Sequence, residues 1–152
     1  MQDGMKICII CSAGGHLREA MQLESVFDKR EHFFVTFNRR DAIDALKGKK
    51  TYFINDPKRN PLKAAVNFFK ALSIYLKERP RVIISTGAGM AIPFCYIGKA
   101  LGSKIVYIES MAAVVRPSLT GKTIYPIADM FIVQWAALKR FYPKAAYGGT
   151  II

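Results

Sequence analysis

Apolar positions along the chain fall into short unbroken runs, and these alternate with longer segments in which apolar residues recur every three or four positions. Lys6-Ile-Cys-Ile-Ile-Cys11 has the uninterrupted character of a strand buried on both faces. Ser12-Ala-Gly-Gly-His16 follows as a tight loop, and Leu17–Phe27 then carries apolar residues at helical spacing. His32–Phe37 and Thr51–Ile54 are predicted strands, with a short helix around Asp41–Leu46 between them. Asn60-Pro61 marks a helix start, Asn as cap and Pro in the first turn, and this helix is expected to run to about Arg79, before Pro80. Arg81–Ser85 reads as a strand, Thr86–Gly89 as a second glycine loop, and Ala91–Leu101 as a helix closed by Gly102. Lys104–Ile108 and Met130–Val133 are further strands, separated by a short helix over Ser118–Ile127 and followed by a last helical turn or two at Ala136–Tyr142. Such alternation predicts a Rossmann-like α/β fold, a mostly parallel sheet with helices on both faces, with residues 1–152 forming a single domain.

The composition adds that 51% of the 152 residues are apolar and 22% charged, enough apolar material for a core. The charge-free stretch Ala88–Gly98 is too short and too rich in Gly and Pro to span a bilayer, and strand-like sequence begins directly after Met5, so neither a membrane span nor a signal peptide is expected. The net charge of +12 is uneven: residues 29–81 hold fourteen basic and five acidic side chains, residues 1–28 two and four. A basic middle third points to a polyanionic partner: a phosphate ligand, an anionic membrane surface or nucleic acid. The aromatic residues of that segment mostly sit at core spacing and no RNA or DNA motif is present, so nucleic acid is not the expected partner. Cys8, Cys11 and Cys95 are too few and too apolar in context for a disulfide framework. Cys8 and Cys11 point to opposite faces of one strand, so burial is expected rather than a redox or zinc site.

Chemistry is expected outside the carboxyl ends of the strands, where the order of an open sheet reverses. Two glycine-bearing loops leave strands there, Cys11-Ser-Ala-Gly-Gly-His-Leu17 and Ser85-Thr-Gly-Ala-Gly-Met-Ala-Ile-Pro93, and each runs into a helix. Free backbone N–H groups at such turns suit a phosphate, which makes Ser12, Gly14, Gly15, Thr86, Gly87 and Gly89 candidate anion ligands. The alternative is that the glycines only make tight turns. Neither loop is a G-x-G-x-x-G, and Gly121-Lys122-Thr123 lacks the earlier P-loop glycine, whose place Arg116 takes. His16 starts a helix, where the imidazolium is disfavoured, and is a candidate general base or phosphate donor; holding the loop shut is its plainer role. Glu109 follows a buried strand in a segment where the only other acid beyond Glu78 is Asp129. It is a candidate base or sugar-hydroxyl ligand, or else a brace accepting backbone N–H bonds. Asp129, before a strand and on the other edge, is expected to cap or to pin Lys or Arg.

The helix after Asn60 is too apolar for a surface helix. Its apolar residues cover an arc of roughly 220°, whereas facing a core takes about 100°. Asn67 and the lysines Lys63, Lys70 and Lys77 mark the opposite side, and Lys58, Arg59, Arg79 and Arg81 bracket it. The surplus arc, taken as Ala64, Phe68, Ala71 and Tyr75, is expected to lie in a membrane interface with Lys63, Lys70 and Lys77 meeting anionic headgroups; a second protein surface or a thick core is the alternative. The apolar loop Ser110-Met-Ala-Ala-Val-Val115 could help hold a lipid or a partner.

Ser12-Ala-Gly-Gly-His-Leu17, Glu109-Ser110, Ser118-Leu-Thr-Gly-Lys122, Ala128-Asp129 and Val133-Gln-Trp135 together resemble the acceptor-side subunit of split GT-B glycosyltransferases. That family includes PssD-like bacterial polysaccharide subunits and the eukaryotic membrane-anchoring subunit of the UDP-GlcNAc transferase acting on dolichol-diphosphate-GlcNAc. The first loop and Gly87, Gly89 and Pro93 also resemble the N-domain loops of the single-chain peptidoglycan GlcNAc transferase, whose N-terminal half binds a lipid diphosphate. The resemblance implies the N-terminal half of a GT-B enzyme. This chain would bind acceptor and membrane, and a separate catalytic chain would supply the UDP-sugar site, with His16 or Glu109 as the base and Arg116, Gln134 and Trp135 toward the partner or cleft. It also implies a peripheral location on the cytoplasmic face of a membrane. Eukaryotic members carry an N-terminal membrane helix, so here anchoring is expected to rest on the basic amphipathic helix or on the partner. No D-x-D is present, so no metal or other cofactor is expected, loop amides handling the diphosphate charge. A non-catalytic scaffold that recruits a catalytic partner is the alternative reading.

Overall fold

The computed structural model describes residues 4–58 and 60–151; Arg59, one of the bracketing cations, lies outside them. Seven strands form one parallel sheet in the order β3-β2-β1-β4-β5-β6-β7. They are β1 (Ile7–Cys11), β2 (His32–Phe37), β3 (Thr51–Ile54), β4 (Val82–Gly87), β5 (Lys104–Ile108), β6 (Met130–Val133) and β7 (Ala146–Tyr147). The chain builds outward from β1 to β3 and then crosses back to β4, so the order reverses between β1 and β4. Helices α1 (Gly15–Met21), α2 (Glu24–Phe27) and α3 (Arg40–Ala45) cover one face, where Leu17, Ala20, Phe27 and Ala42 pack on Ile7, Ile9 and Cys11. Helices α4 (Pro61–Glu78), α5 (Ala91–Ala100) and α6 (Leu119–Ile124) cover the other, against Cys8, Ile10, Phe33 and Ile83. Cys8 and Cys11 thus serve opposite layers, as the period of two requires. Burial pushes the Cys11 and Cys95 thiols up to about 12, which leaves both unreactive.

The segment 17–27 is two helices rather than one, broken at Gln22-Leu23, and Ala136–Arg140 is a 3₁₀ segment. The two-residue β7 carries no alternation a sequence could reveal.

Helix α4 corrects a larger expectation. Asn60 caps it as foreseen, its Oδ1 accepting from Leu62 and Lys63 N–H at 2.9 and 3.2 Å. The stripe turned to the protein, however, is Asn67, Ala71, Ile74, Tyr75 and Glu78, all buried. Asn67 donates to the Asn55 carbonyl at 2.7 Å, and Tyr75 shares a hydrogen bond with Ser103 at 2.7 Å. Tyr75 and Ala71 therefore belong to the core, and Asn67 does not mark the solvent side. The outward face is Leu62, Val66, Phe69 and Leu76, between 51% and 77% exposed, with Phe68 at its margin and Lys63 and Lys70 exposed along one flank. Lys77 instead lies over the Tyr52 ring. An apolar arc wider than one face cannot say which part of it points inward; buried polar partners decide that here.

Glu78 is the strongest of those partners. Its carboxylate, 2% exposed, receives Lys6 at 3.0 Å, Lys50 at 2.9 Å and the Tyr52 hydroxyl. Burial alone would raise its pKa, but the hydrogen bonds from Lys50, Tyr52 and Lys6 outweigh that and hold it at about 2 against the usual 4.5. A folded pKa below the unfolded one stabilises above pH 4.5, and that contribution is lost as pH falls toward 2. The loss is expected to be about 3 kcal/mol. Urea titrations of wild type and Glu78→Gln at pH 7 and pH 3 check this: the gap between the two proteins should shrink at the lower pH.

Candidate functional site

The loops after β1 and β4 flank the point where strand order reverses, and they lock together. Thr86 Oγ1 donates to the His16 carbonyl at 2.7 Å. Gly87 has φ +125°, and a Cβ built there would stand 2.7 Å from His16 Cε1 and 2.9 Å from its Nδ1. The imidazole therefore lies directly on Gly87, and only glycine permits both that backbone and that contact. Its Nδ1 is buried without a hydrogen-bond partner. Both loops are thus built around His16.

The six proposed anion ligands divide. Gly15 and Gly89 are exposed and Ser12 and Gly14 half-buried, with Gly14 at φ +85° capping α1. Thr86 and Gly87 are buried and spent on His16, so they shape the site from beneath rather than line it. A cleft of about 610 Å³ opens beside the first loop on the α1–α3 face and is lined by Gly14, Gly15, Arg18, Glu19, Met21 and Met111. The second loop contributes nothing to it.

Glu109 is a brace. Fully buried, it accepts from Ser110 N–H at 3.1 Å, Ser118 Oγ at 2.7 Å, Ser118 N–H at 3.2 Å and Tyr142 OH at 2.9 Å. Burial and then the nearby carboxylate push the Tyr142 phenol well above its ordinary value, which keeps it a donor. Ser118 also caps α6 by accepting from Gly121 N–H at 2.8 Å, and Gly121 packs against the carboxylate so closely that a Cβ would meet Oε2 at 2.1 Å. The run Ser118-Leu-Thr-Gly-Lys122 is therefore a seat for Glu109. With its oxygens enclosed this way, Glu109 does not reach an acceptor hydroxyl, which corrects its assignment as a possible base.

Gln134 and Trp135, expected toward the partner or cleft, both hydrogen-bond to residues that line the cleft beside the first loop, Glu19 and Met111. Gln134 is buried and donates to Glu19 at 2.9 Å and to the Glu109 carbonyl at 3.1 Å, while Trp135 Nε1 donates to the Met111 carbonyl at 2.7 Å. Arg116 is exposed. Asp129 behaves as expected, receiving Ile105 N–H at 2.8 Å and pairing with Lys99 and Lys104. Sequence reasoning missed Glu19, a buried acid on α1 one turn beyond His16; its place on an otherwise apolar helix face was the available signal.

No helix among the described residues is long and apolar enough to cross a membrane. Residues 55–151 match the family described as oligosaccharide biosynthesis protein Alg14 like. The chain is 31% identical to the UDP-N-acetylglucosamine transferase subunit ALG14 of Candida albicans, over 97% of its own length and 78% of that protein. It is 25% identical to the Homo sapiens subunit of the same name, over 99% and 85%. Among solved structures, Acinetobacter baumannii MurG superposes with a TM-score of 0.81 at 13% identity, covering 97% of this chain and 46% of that one. The S. aureus MnaA–UDP co-structure gives 0.74 at 11%, covering 97% and 44%. The chain therefore spans less than half of these larger proteins, and the likeness is one of fold: a Rossmann-like domain close to one half of MurG.

Proposed function

The chain belongs to the Alg14-like family of oligosaccharide biosynthesis proteins, and from that we propose that it is the acceptor-side subunit of a two-chain glycosyltransferase. In this reading a separate catalytic chain carries the UDP-sugar. The pair transfers the sugar to a polyprenyl-diphosphate-linked saccharide, and this chain binds the acceptor as a peripheral protein on the cytoplasmic face of a membrane. The relatives' names favour N-acetylglucosamine as the sugar and a second chain as its carrier.

The observation that carries the reading is the seating of His16 on Gly87 where two glycine loops meet. Backbone N–H groups at Gly14, Gly15 and Gly89 are then the diphosphate ligands, with Ser12 beside them. His16 takes the proton from the acceptor hydroxyl as that oxygen bonds to the anomeric carbon and the bond to UDP breaks. The acceptor's lipid needs an apolar surface nearby. Helix α4 starts just after β3, at the carboxyl edge of the sheet, and turns Leu62, Val66 and Phe69 outward with Lys63 and Lys70 alongside. Apolar side chains in the acyl boundary and lysines at anionic headgroups are what an interfacial helix requires.

Sedimentation with vesicles containing anionic lipid tests the membrane half of the proposal. The pair Leu62→Glu and Phe69→Glu, both on the exposed face, is expected to weaken binding at least about tenfold without unfolding the chain. Unchanged binding would remove the bilayer from the account. The burial of Glu109 favours a second reading, a scaffold that recruits the catalytic chain but touches no substrate; there, removal of the His16 imidazole would leave the rate intact.

A further inference from the structure

Helix α1 has seven residues and no side-chain cap at its start, too little to fix its own orientation. Yet the histidine on it occupies a place with no slack, pressed on Gly87. Leu17 and Ala20 pack it on the sheet, and two polar pins add to that packing. One pin is Thr86, bonded to the His16 carbonyl. The other is Glu19, one turn further along, with its carboxyl group buried. Its oxygens accept from Ser110 Oγ at 3.3 Å, from Met111 N–H at 3.3 and 3.4 Å and from Gln134 Nε2 at 2.9 Å, all uncharged donors. Residues three apart on a helix lie on neighbouring rows, so tying Glu19 to the loop after β5 fixes the rotation that His16 shares. The frame extends further, because Gln134 Oε1 accepts from the Ile151 N–H at 3.0 Å.

We propose that Glu19 is a positioning residue that holds His16 on Gly87, and that Gln134 makes this setting depend on the backbone at Ile151. The catalytic consequence rests on the role proposed above for His16; the frame itself does not. A buried carboxyl group held only by neutral donors costs stability compared with an apolar residue of the same shape, and a demand for orientation accounts for its presence. A chain that displaced the segment around Ile151 would act on Gln134 and, through Glu19, on the histidine.

The protein has two histidines, so labelled imidazoles give His16 and, as an internal reference, His32. Glu19→Gln is expected to move the His16 Cε1–H resonance and leave His32 in place. Truncation after Gly149, which removes the Ile151 donor, is expected to move it as well. In the enzyme assembled with its catalytic chain, Glu19→Gln should lower kcat about tenfold with the acceptor KM within about twofold, and should cost nothing more in a His16→Ala background. An unmoved His16 resonance in Glu19→Gln, or rate losses that multiply, would overturn the positioning role; an unmoved resonance after truncation would overturn the link to Ile151. Should His16→Ala keep full rate, the proposed base role fails while the resonance still decides for or against Glu19. If Glu19→Gln does not fold, Ser110→Ala removes one donor from the same carboxyl, and a fixed His16 resonance there overturns the proposal.

Discussion

His16→Ala is expected to lower transfer by the assembled enzyme at least about 100-fold while leaving the chain folded, the usual worth of a positioned general base. The ring touches Gly87 with its Nδ1 buried and unpartnered, so its loss removes the proposed proton acceptor without opening the sheet. Gly87→Ala provides a second route to the same result. Its methyl would begin 2.7 Å from His16 Cε1 at a φ of +125°, so either the ring is displaced or the β4 loop is forced out of shape. Both variants should therefore fail in rate, and Gly87→Ala should also lose stability. Steady-state rates, with circular dichroism to confirm folding, separate the two effects. A His16→Ala protein that transfers at the full rate would leave the scaffold reading standing.

Glu109→Ala is expected to lower folding stability by about 3–5 kcal/mol, a large share of what a domain of this size possesses. It would leave the Ser118 and Tyr142 hydroxyls without their acceptor, and Ser118 is also the cap of α6. Gly121→Ala should reproduce much of the loss, because the added methyl falls on the carboxylate at 2.1 Å and on the Tyr142 hydroxyl at 2.8 Å. Urea unfolding of both proteins measures it. The opposite pattern, Glu109→Gln folding like wild type but failing to transfer, would return Glu109 to the reacting centre.

The strands were legible because a parallel sheet buried on both faces demands unbroken apolar runs: β2, β3, β5 and β6 begin and end at the residues the pattern indicates. The two glycine loops and their convergence followed from strand order, since parallel strands put every strand-to-helix turn on one edge. What a linear pattern could not supply was orientation. Tyr75 and Phe68 are both aromatic and seven residues apart, yet the Ser103 hydroxyl draws one inward while the other stays at the solvent margin. Glu109 looked exceptional because it is the lone acid in its neighbourhood. Its actual partners, Ser118 and Tyr142, lie nine and thirty-three residues away and carry no signature that names their acceptor. Gln134 likewise sits next to an aromatic residue at the end of a strand, where a sequence suggests a surface, but it joins Glu19, Glu109 and Ile151 inside the protein. The residues that resemble a known family are thus partly a frame: Ser118, Gly121 and Gln134 hold other residues in place, while Gly14 and Gly15 of the first loop line the cleft.

Titrating the amide-labelled chain with a short, water-soluble prenyl diphosphate tests the central claim most directly. The account predicts that the amide resonances of Gly14, Gly15 and Gly89 and the His16 ring move together with one saturation curve. Movement confined to residues far from both glycine loops, with these four unperturbed, would contradict it.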